Sequence, residues 1–353
     1  MQVAIITDTH FGARSDSVAI DRYFERFYEE VFFPAIKSRD IEVVLHLGDV
    51  FDRRKYINYQ TLQSCRRYFF DRMKILGIRC FMLAGNHDTY FKNTNSVNSP
   101  DLLLQDYDNI TVIDGPCTAD VGGGNEVCFL PWICAENYEA SMQEIDHTKS
   151  TICMGHLEIA GYPMWRGQDS HDGMDPGTFR KFEQVFSGHF HHRSTKKNIT
   201  YLGNPYEMFW NDYEDPRGFT IFDFSSREME HVINPNKLFV RHVYDDEKED
   251  PMEVDTAVFE SKFVKLVVAN KKDFYKFDQF IDRLYKANPL ELKIIEDFSE
   301  FEAEALDDEI DVEDTFTLLS QYVDAVETDV NKDKVKSILR ELYIEAQNQE
   351  ETT

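Results

Sequence analysis

Three short apolar runs, VAIIT at 3–7, EVVLHL at 42–47 and CFMLA at 80–84, mark the first part of the chain. The two stretches between them carry apolar positions at helical spacing, which predicts helices over about 18–38 and 59–76. Runs of this length with helices between them read as the parallel strands of an α/β fold. Each run ends directly in a polar cluster: Asp8-Thr9-His10, Gly48-Asp49 and Gly85-Asn86-His87-Asp88. Two later runs repeat the arrangement, TICM leading into Gly155-His156 and QVFS into Gly188-His189-Phe190-His191. In open α/β sheets ligands sit at the carboxyl ends of strands, so five strand ends are predicted to converge on one polar site.

From about 197 to 245 the pattern changes to short β runs (ITYLG, GFTIFDF, EMEHVI, LFVRHVY) separated by turn residues. They predict an added sheet layer that closes a first domain, 1–245. The stretch 245–256, DDEKEDPMEVDT, reads as a linker: charged, with a proline and little apolar periodicity. FVKLVVA, a helix over 273–286 and LELKIIE predict a small β-α-β module, 257–297, placed to cap the site. Residues 296–314 hold eleven carboxylates and no Lys or Arg, as a mobile acidic linker or a docking segment for a basic surface would. A last helix, about 331–347, puts Val335, Ile338, Leu339, Leu342, Tyr343 and Ala346 on one face. That face packs on its own domain or lies in a partner's groove, and the region 298–353 is read as partner-binding.

With 42% hydrophobic and 29% charged residues, the composition is that of a soluble globular protein. No apolar run is long enough for a membrane span and no signal pattern opens the chain, so a cytoplasmic location is expected. Six cysteines show no CxxC spacing, which favours buried reduced thiols. The net charge of -27 argues against a protein that simply coats DNA. The charge is uneven, however: residues 51–100 carry nine Lys/Arg against three Asp/Glu, and residues 301–351 carry four against sixteen. The basic stretch Arg53, Arg54, Lys55, Arg66, Arg67, Arg72, Lys74, Arg79 faces a phosphate backbone or is the solvated side of a helix.

Phosphodiester hydrolysis near neutral pH needs an activated water, charge stabilisation and help for the leaving oxygen, and two divalent ions supply all three. Such a pair needs a bridging carboxylate, for which Asp49 is placed, and surrounding ligands of the types found at Asp8, His10, Asn86, His156, His189 and His191. Carboxylate with imidazole suits manganese, iron or zinc better than calcium, and the absence of cysteine ligands argues against a structural zinc; two manganese ions are expected, with magnesium as the alternative. Gly-Asp and Asp-x-His alone are weak signals. Gly-Asn-His-Asp is sharper, expected by chance in roughly one chain per thousand of this length. The ordered set of five motifs, each after a strand-like run, is sharper still.

This set resembles the calcineurin-like metallophosphoesterase superfamily. The first 245 residues are similar to SbcD-type nuclease subunits, through GDVFDRRKY, LAGNHDTYF, GHFHH and YLGNPYEMFWNDYEDPRGF. The last segment looks most like tailed-phage recombination endonucleases that pair with an SMC-like ATPase. The resemblance implies a sandwich of two mixed β-sheets flanked by helices, a small α+β capping domain and a helical C-terminal tail. It implies a metal held by Asp8, His10, Asp49 and His191 and a second held by Asp49, Asn86, His156 and His189. His87 would stabilise the transition state or protonate the leaving oxygen, and Asp88 would orient it. Asp52 stands where archaeal and eukaryotic relatives tend to carry histidine. The resemblance further implies DNA as substrate, an SbcC-type SMC-like ATPase partner, a homodimer of the nuclease subunit within the complex, and cleavage of duplex ends, single strands and hairpins. It fades after about residue 260.

His46, inside an apolar strand, reads as a satisfied core residue, and His192 as exposed or touching substrate. Gly203-Asn204-Pro205 predicts a turn near the site. Two competing functions use the same residues: a phosphatase or cyclic-nucleotide phosphodiesterase, against which the length beyond 245 weighs, and a DNA-end-binding scaffold, against which the intact ligand set weighs.

Overall fold

A computed structural model describes residues 1–296, together with Val323, Lys332 and residues 334–336, which are helical. The acidic stretch from 297 and most of the terminal helix lie outside the described residues. Met1–Ile294 forms one unit.

Strands β1 (Gln2–Ile6), β2 (Val43–His46), β3 (Arg79–Leu83) and β4 (Ile110–Ile113) lie side by side and parallel. β5 (Cys117–Asp120), β6 (Glu126–Leu130) and β7 (Ile152–His156) begin a second sheet. A separate hairpin, β8 (Pro163–Trp165) with β9 (Gln168–Asp169), precedes β10 (Gln184–Gly188), β11 (Ser194–Lys196) and β12 (Ile199–Tyr201), which complete that sheet. β13 (Gly218–Asp223) and β14 (Met229–Ile233) return to the first, β13 antiparallel to β1. The two six-stranded orders are β14-β13-β1-β2-β3-β4 and β11-β12-β10-β7-β6-β5.

One apolar cluster joins Val3, Ile5, Val43, Leu45 and Leu83 of the first sheet to Val127, Phe129, Ile152, Met154 and Phe186 of the second, so the sheets pack face to face. The opposite face of the first sheet (Ala4, Ile6, Val44, Met82) is covered by Phe24, Phe27, Phe32, Phe69 and Phe70 from helical stretches 18–38 and 59–75. Cys128, Leu130, Cys153 and Val185 of the second sheet share a cluster with Ile145 of helix Tyr138–His147. Strands buried on both faces read as continuous apolar runs, which is why VAII and VVL do not alternate. The expected sandwich of two mixed sheets flanked by helices is the fold observed.

A third sheet, β15 (Phe239–Asp245), β16 (Phe263–Asn270) and β17 (Glu291–Ile295), carries helix Phe274–Lys286, whose Phe277, Phe280 and Leu284 pack with Tyr244, Val264 and Leu266. Two expectations change here. LFVRHVY does not belong to the added layer of the large sandwich; as β15 it pairs in parallel with β16, from Phe239↔Phe263 to Tyr244↔Val268. The stretch 245–256 is not a free linker either. It begins the crossover that two parallel neighbours require. Met252 and Val254 pack on the small core, and Arg283 donates to the carbonyls of Pro251, Met252 and Val254 at 2.9, 2.8 and 2.7 Å. Among the described residues, no helix is long and apolar enough to cross a membrane.

Candidate metal centre

The five polar clusters follow strands β1, β2, β3, β7 and β10 and meet where the carboxyl ends of the two sheets come together. The backbone there is bent sharply: Asp8 (φ 52°), His10 (φ 41°), Asp49 (φ 52°) and His189 (φ 83°) are left-handed. Each such non-glycine residue costs of order 1–3 kcal/mol and persists only where neighbours hold it. Asp8 N donates to Gly48 O at 3.0 Å and His10 N to Asp49 O at 3.1 Å. His189 N donates to both Asp8 carboxylate oxygens, at 3.0 and 3.2 Å, stitching one sheet to the other. Two glycines make the approach possible. A Cβ at Gly188 would lie 2.0 Å from Thr7 Oγ1, and one at Gly85 would lie 2.3 Å from the Asp49 amide nitrogen.

All seven expected ligands are brought together. Ligand atoms of Asp8, His10 and His191 lie within 4.8 Å of one another, as do those of Asp49, His156 and His189. Asp49 stands between the groups: its Oδ2 is 3.7 Å from His10 Nε2 and 3.2 Å from His156 Nε2. His10 Nε2 faces His191 Nε2 at 3.2 Å. Asn86 Oδ1 lies 2.9 Å from His156 Nε2 and 3.0 Å from His189 Nδ1. His156 Nδ1 donates to Leu47 O at 2.7 Å, which turns the Nε2 lone pair into the site and fixes its tautomer. Two imidazole nitrogens facing each other, beside buried carboxylate and amide oxygens, fit divalent cations.

The electrostatics point the same way. Burial pushes the Asp49 carboxyl up, but His156, His87 and His10 outweigh it and hold Asp49 well below the usual carboxylate range. Burial lowers His156, yet the carboxylates of Asp49 and Asp8 raise it to about 9. Burial and the neighbouring His156 lower His189 to about 3, and burial with His10 and Arg217 lowers His191 well below its ordinary value. Asp8 is raised by burial. Cation binding would therefore displace a proton from His156.

Further residues surround the ligands. His87 N donates to Asp49 Oδ1 at 2.8 Å, and its ring packs edge-on against His10 with centroids 4.7 Å apart. The ring nitrogen Nδ1 bonds to the Asp52 carbonyl at 2.8 Å. The Asp88 carboxylate takes the amides of Gly85 (2.9 Å), Val50 (3.0 Å) and Phe51 (3.1 Å). These charge-assisted bonds hold the 85–88 turn that carries His87 against the 50–51 backbone. His46 is the core residue expected, with Nε2 3.0 Å from Thr9 Oγ1 and Nδ1 accepting from Gly48 N at 3.3 Å. His192 Nδ1 lies 2.7 Å from Asp215 Oδ2. In the basic stretch, Arg66 pairs with Asp106, Arg67 with Glu25 and Lys74 with Asp108, so the helical part is engaged within the fold.

Residue-by-residue reading missed Arg217. Its buried guanidinium donates to the His191 carbonyl and to Asn204 Oδ1, and pairs with Asp212 at 2.7 Å and Asp215 at 2.8 Å. Trp132, also missed, sets its ring 5.1 Å from that of His189. Neither lies in a strand-end motif, although Arg217 falls within the segment YLGNPYEMFWNDYEDPRGF.

The family model described as Calcineurin-like phosphoesterase matches residues 1–193, the span that contains every ligand named above. Over 352 residues the chain is 28% identical to Exonuclease subunit 1 of Enterobacteria phage T4, covering 98% of this chain and 99% of that protein. It is 23% identical over 234 residues to the SbcD component of the SbcCD nuclease of Staphylococcus epidermidis, covering 58% of this chain and 57% of that one. A match across more than half of its length, over a site of this composition, makes the chain a member of the calcineurin-like phosphoesterase family.

Proposed function

We propose that the chain is a two-metal DNA nuclease subunit that hydrolyses phosphodiester bonds at duplex ends and in single-stranded or hairpin DNA, together with an SMC-like ATPase. The observation that carries the reading is Asp49, whose Oδ2 lies within reach of imidazoles from both ligand groups. Both relatives named above are nuclease subunits by name, which supports the nucleic-acid substrate and a partner. Asp8, His10, Asp49 and His191 would hold one ion, and Asp49, Asn86, His156 and His189 the other, with manganese as the expected metal. When bound, such a pair supplies a water acidified to near neutrality and positive charge for the phosphoryl oxygens.

The protein's own groups do the rest. His87 is tied by its backbone bond to Asp49 and its ring bond to the Asp52 carbonyl, and in this reading its imidazole exchanges a proton with the leaving oxygen. Asp88 keeps the 48–51 and 85–88 turns at fixed distance, so the imidazole stays in place. In this reading the three-stranded sheet with helix Phe274–Lys286 is the cap, the region 298–353 binds the ATPase, and two copies of the chain act within one complex.

The test is His87→Asn. Manganese binding is expected to stay within about twofold, while cleavage of DNA falls by about a hundredfold or more. Cleavage at the wild-type rate would remove His87 from the chemistry.

A further inference from the structure

We infer that Tyr90 and Phe91 form a stacking subsite for an unpaired nucleobase at the edge of the metal centre, with Lys55 placed for the adjoining phosphate. The inference rests on the nuclease reading and names the part of the substrate that the site grips.

Tyr90 and Phe91 follow Gly85-Asn86-His87-Asp88 closely and are 41% and 40% exposed, with ring centroids 4.7 Å apart and planes at 74°. Three residues reach at most about 11 Å, so the Tyr90 backbone lies within a few nucleotides of a phosphate beside His87. The loop that carries the rings is fixed. Tyr90 N donates to Val97 O at 2.9 Å, and Thr89 bridges Asn98. The buried Asn95 donates to the carbonyls of Asp114 at 3.1 Å and Trp132 at 2.8 Å. Rings held outward by a pinned loop are presented to solvent at little further entropic cost on binding.

A second loop runs alongside. Lys55 Nζ stands 5.8 Å from the Tyr90 ring, and the Arg53 guanidinium 5.0 Å from the ring of Tyr56, which is 65% exposed. This loop is tied to the centre by the His87 ring bond to the Asp52 carbonyl and to its base by Arg53 with Asp16 at 2.7 Å. With Arg53 matched by Asp16, Lys55 is the cation this loop presents beside Tyr90 in a chain of net charge -27. Arg66, Arg67 and Lys74 of the neighbouring helix are matched by acids, whereas the exposed Lys55 sits against an aromatic face.

Aromatic faces interleaved with cations are how proteins hold single-stranded nucleic acid without reading its sequence. Bases inside a duplex already stack on their neighbours, so rings on a short fixed loop engage a base that is unpaired. A protein partner would also accept exposed aromatic rings. The position beside a phosphodiester-cleaving centre, together with the cations, favours the nucleotide.

Binding of fluorescent single-stranded oligonucleotides to the full chain, read by anisotropy with calcium present, tests this without depending on cleavage. The double substitution Tyr90→Ala, Phe91→Ala is expected to weaken binding by about tenfold or more, with an unchanged melting temperature. Tyr90→Phe with Phe91→Tyr is expected to restore it. An oligonucleotide with abasic positions should bind wild type as weakly as the intact strand binds the double variant, and the variant should lose little further. Equal affinity of wild type and double variant for the intact strand overturns the inference, and so does a loss of the same size for the abasic strand. Loss of self-association with DNA binding retained would assign the rings to a protein contact, which also overturns it. Cleavage of DNA by the wild type with manganese is scored separately, so failure of the nuclease reading and failure of the subsite give different results.

Discussion

Replacing Arg217 with methionine tests whether a residue outside the ligand motifs holds one half of the metal centre. Arg217 is 3% exposed, and its guanidinium meets Asp212, also 3% exposed, and Asp215 at 2.7 and 2.8 Å. Removing one member of a buried ion pair costs about 3–5 kcal/mol, because the remaining carboxylate is left without its counter-charge. The lower end applies here. Asp212 keeps the amides of Met208 and Phe209 at 2.6 and 3.0 Å, and Asp215 keeps His192 at 2.7 Å. About 3 kcal/mol corresponds to a fall in melting temperature of roughly 6–10 °C for a unit of this size. The His191 carbonyl also loses its donor. Groups that hold a ligand in place typically change metal affinity by about 10–100-fold, so a loss of about tenfold is expected at the Asp8/His10/His191 group. Arg217→Lys keeps the charge without the two-armed geometry and should fall between. Thermal denaturation in chelator reads the first effect, and calorimetric titration with manganese the second. An unchanged melting temperature, or a loss confined to the Asp49/His156/His189 group, refutes the reasoning.

Other outcomes follow from single residues. Burial holds His46 neutral with its pKa lowered to about 3, against 6.5 in the unfolded chain. The unfolded state therefore takes up the proton first, and stability falls as pH drops below 6.5. From pH 8 to pH 5 this one group costs about 2 kcal/mol. Urea midpoints at the two pH values, in chelator, should differ by that much more for wild type than for His46→Gln; equal differences would show that His46 is not the group. Gly85→Ala puts a carbon 2.3 Å from the Asp49 amide nitrogen, whereas at Gly115 nothing lies within 4 Å. Manganese affinity should fall by about a hundredfold or more for Gly85→Ala, as when ligand geometry is lost, and stay unchanged for Gly115→Ala. Equal affinities would show that the strand ends tolerate separation.

The ligand set is readable from the chain because each ligand lies at or just beyond the end of a buried parallel strand, and a strand with both faces covered leaves a long apolar signature. Helices 18–38 and 59–75 are readable for the same reason, since their aromatic stripes cover the first sheet. What cannot be read depends on partners distant in sequence. Arg217 reaches His191 across 26 residues, and the Asp52 carbonyl offers no side-chain signal at all. LFVRHVY has the composition of any half-buried strand; pairing with β16 rather than β14 is decided by tertiary packing. The charged crossover at 245–256 reads as a linker because its apolar anchors, Met252 and Val254, are too few to show a period.

The most direct measurement is the number of manganese ions bound per chain and its response to Asp49. Equilibrium dialysis or calorimetry of wild type is expected to give two. Asp49→Ala should weaken both ions, whereas His191→Ala should weaken one and leave the other near its wild-type affinity. A single ion in the wild type, or two ions indifferent to Asp49→Ala, would contradict a centre built around a shared aspartate.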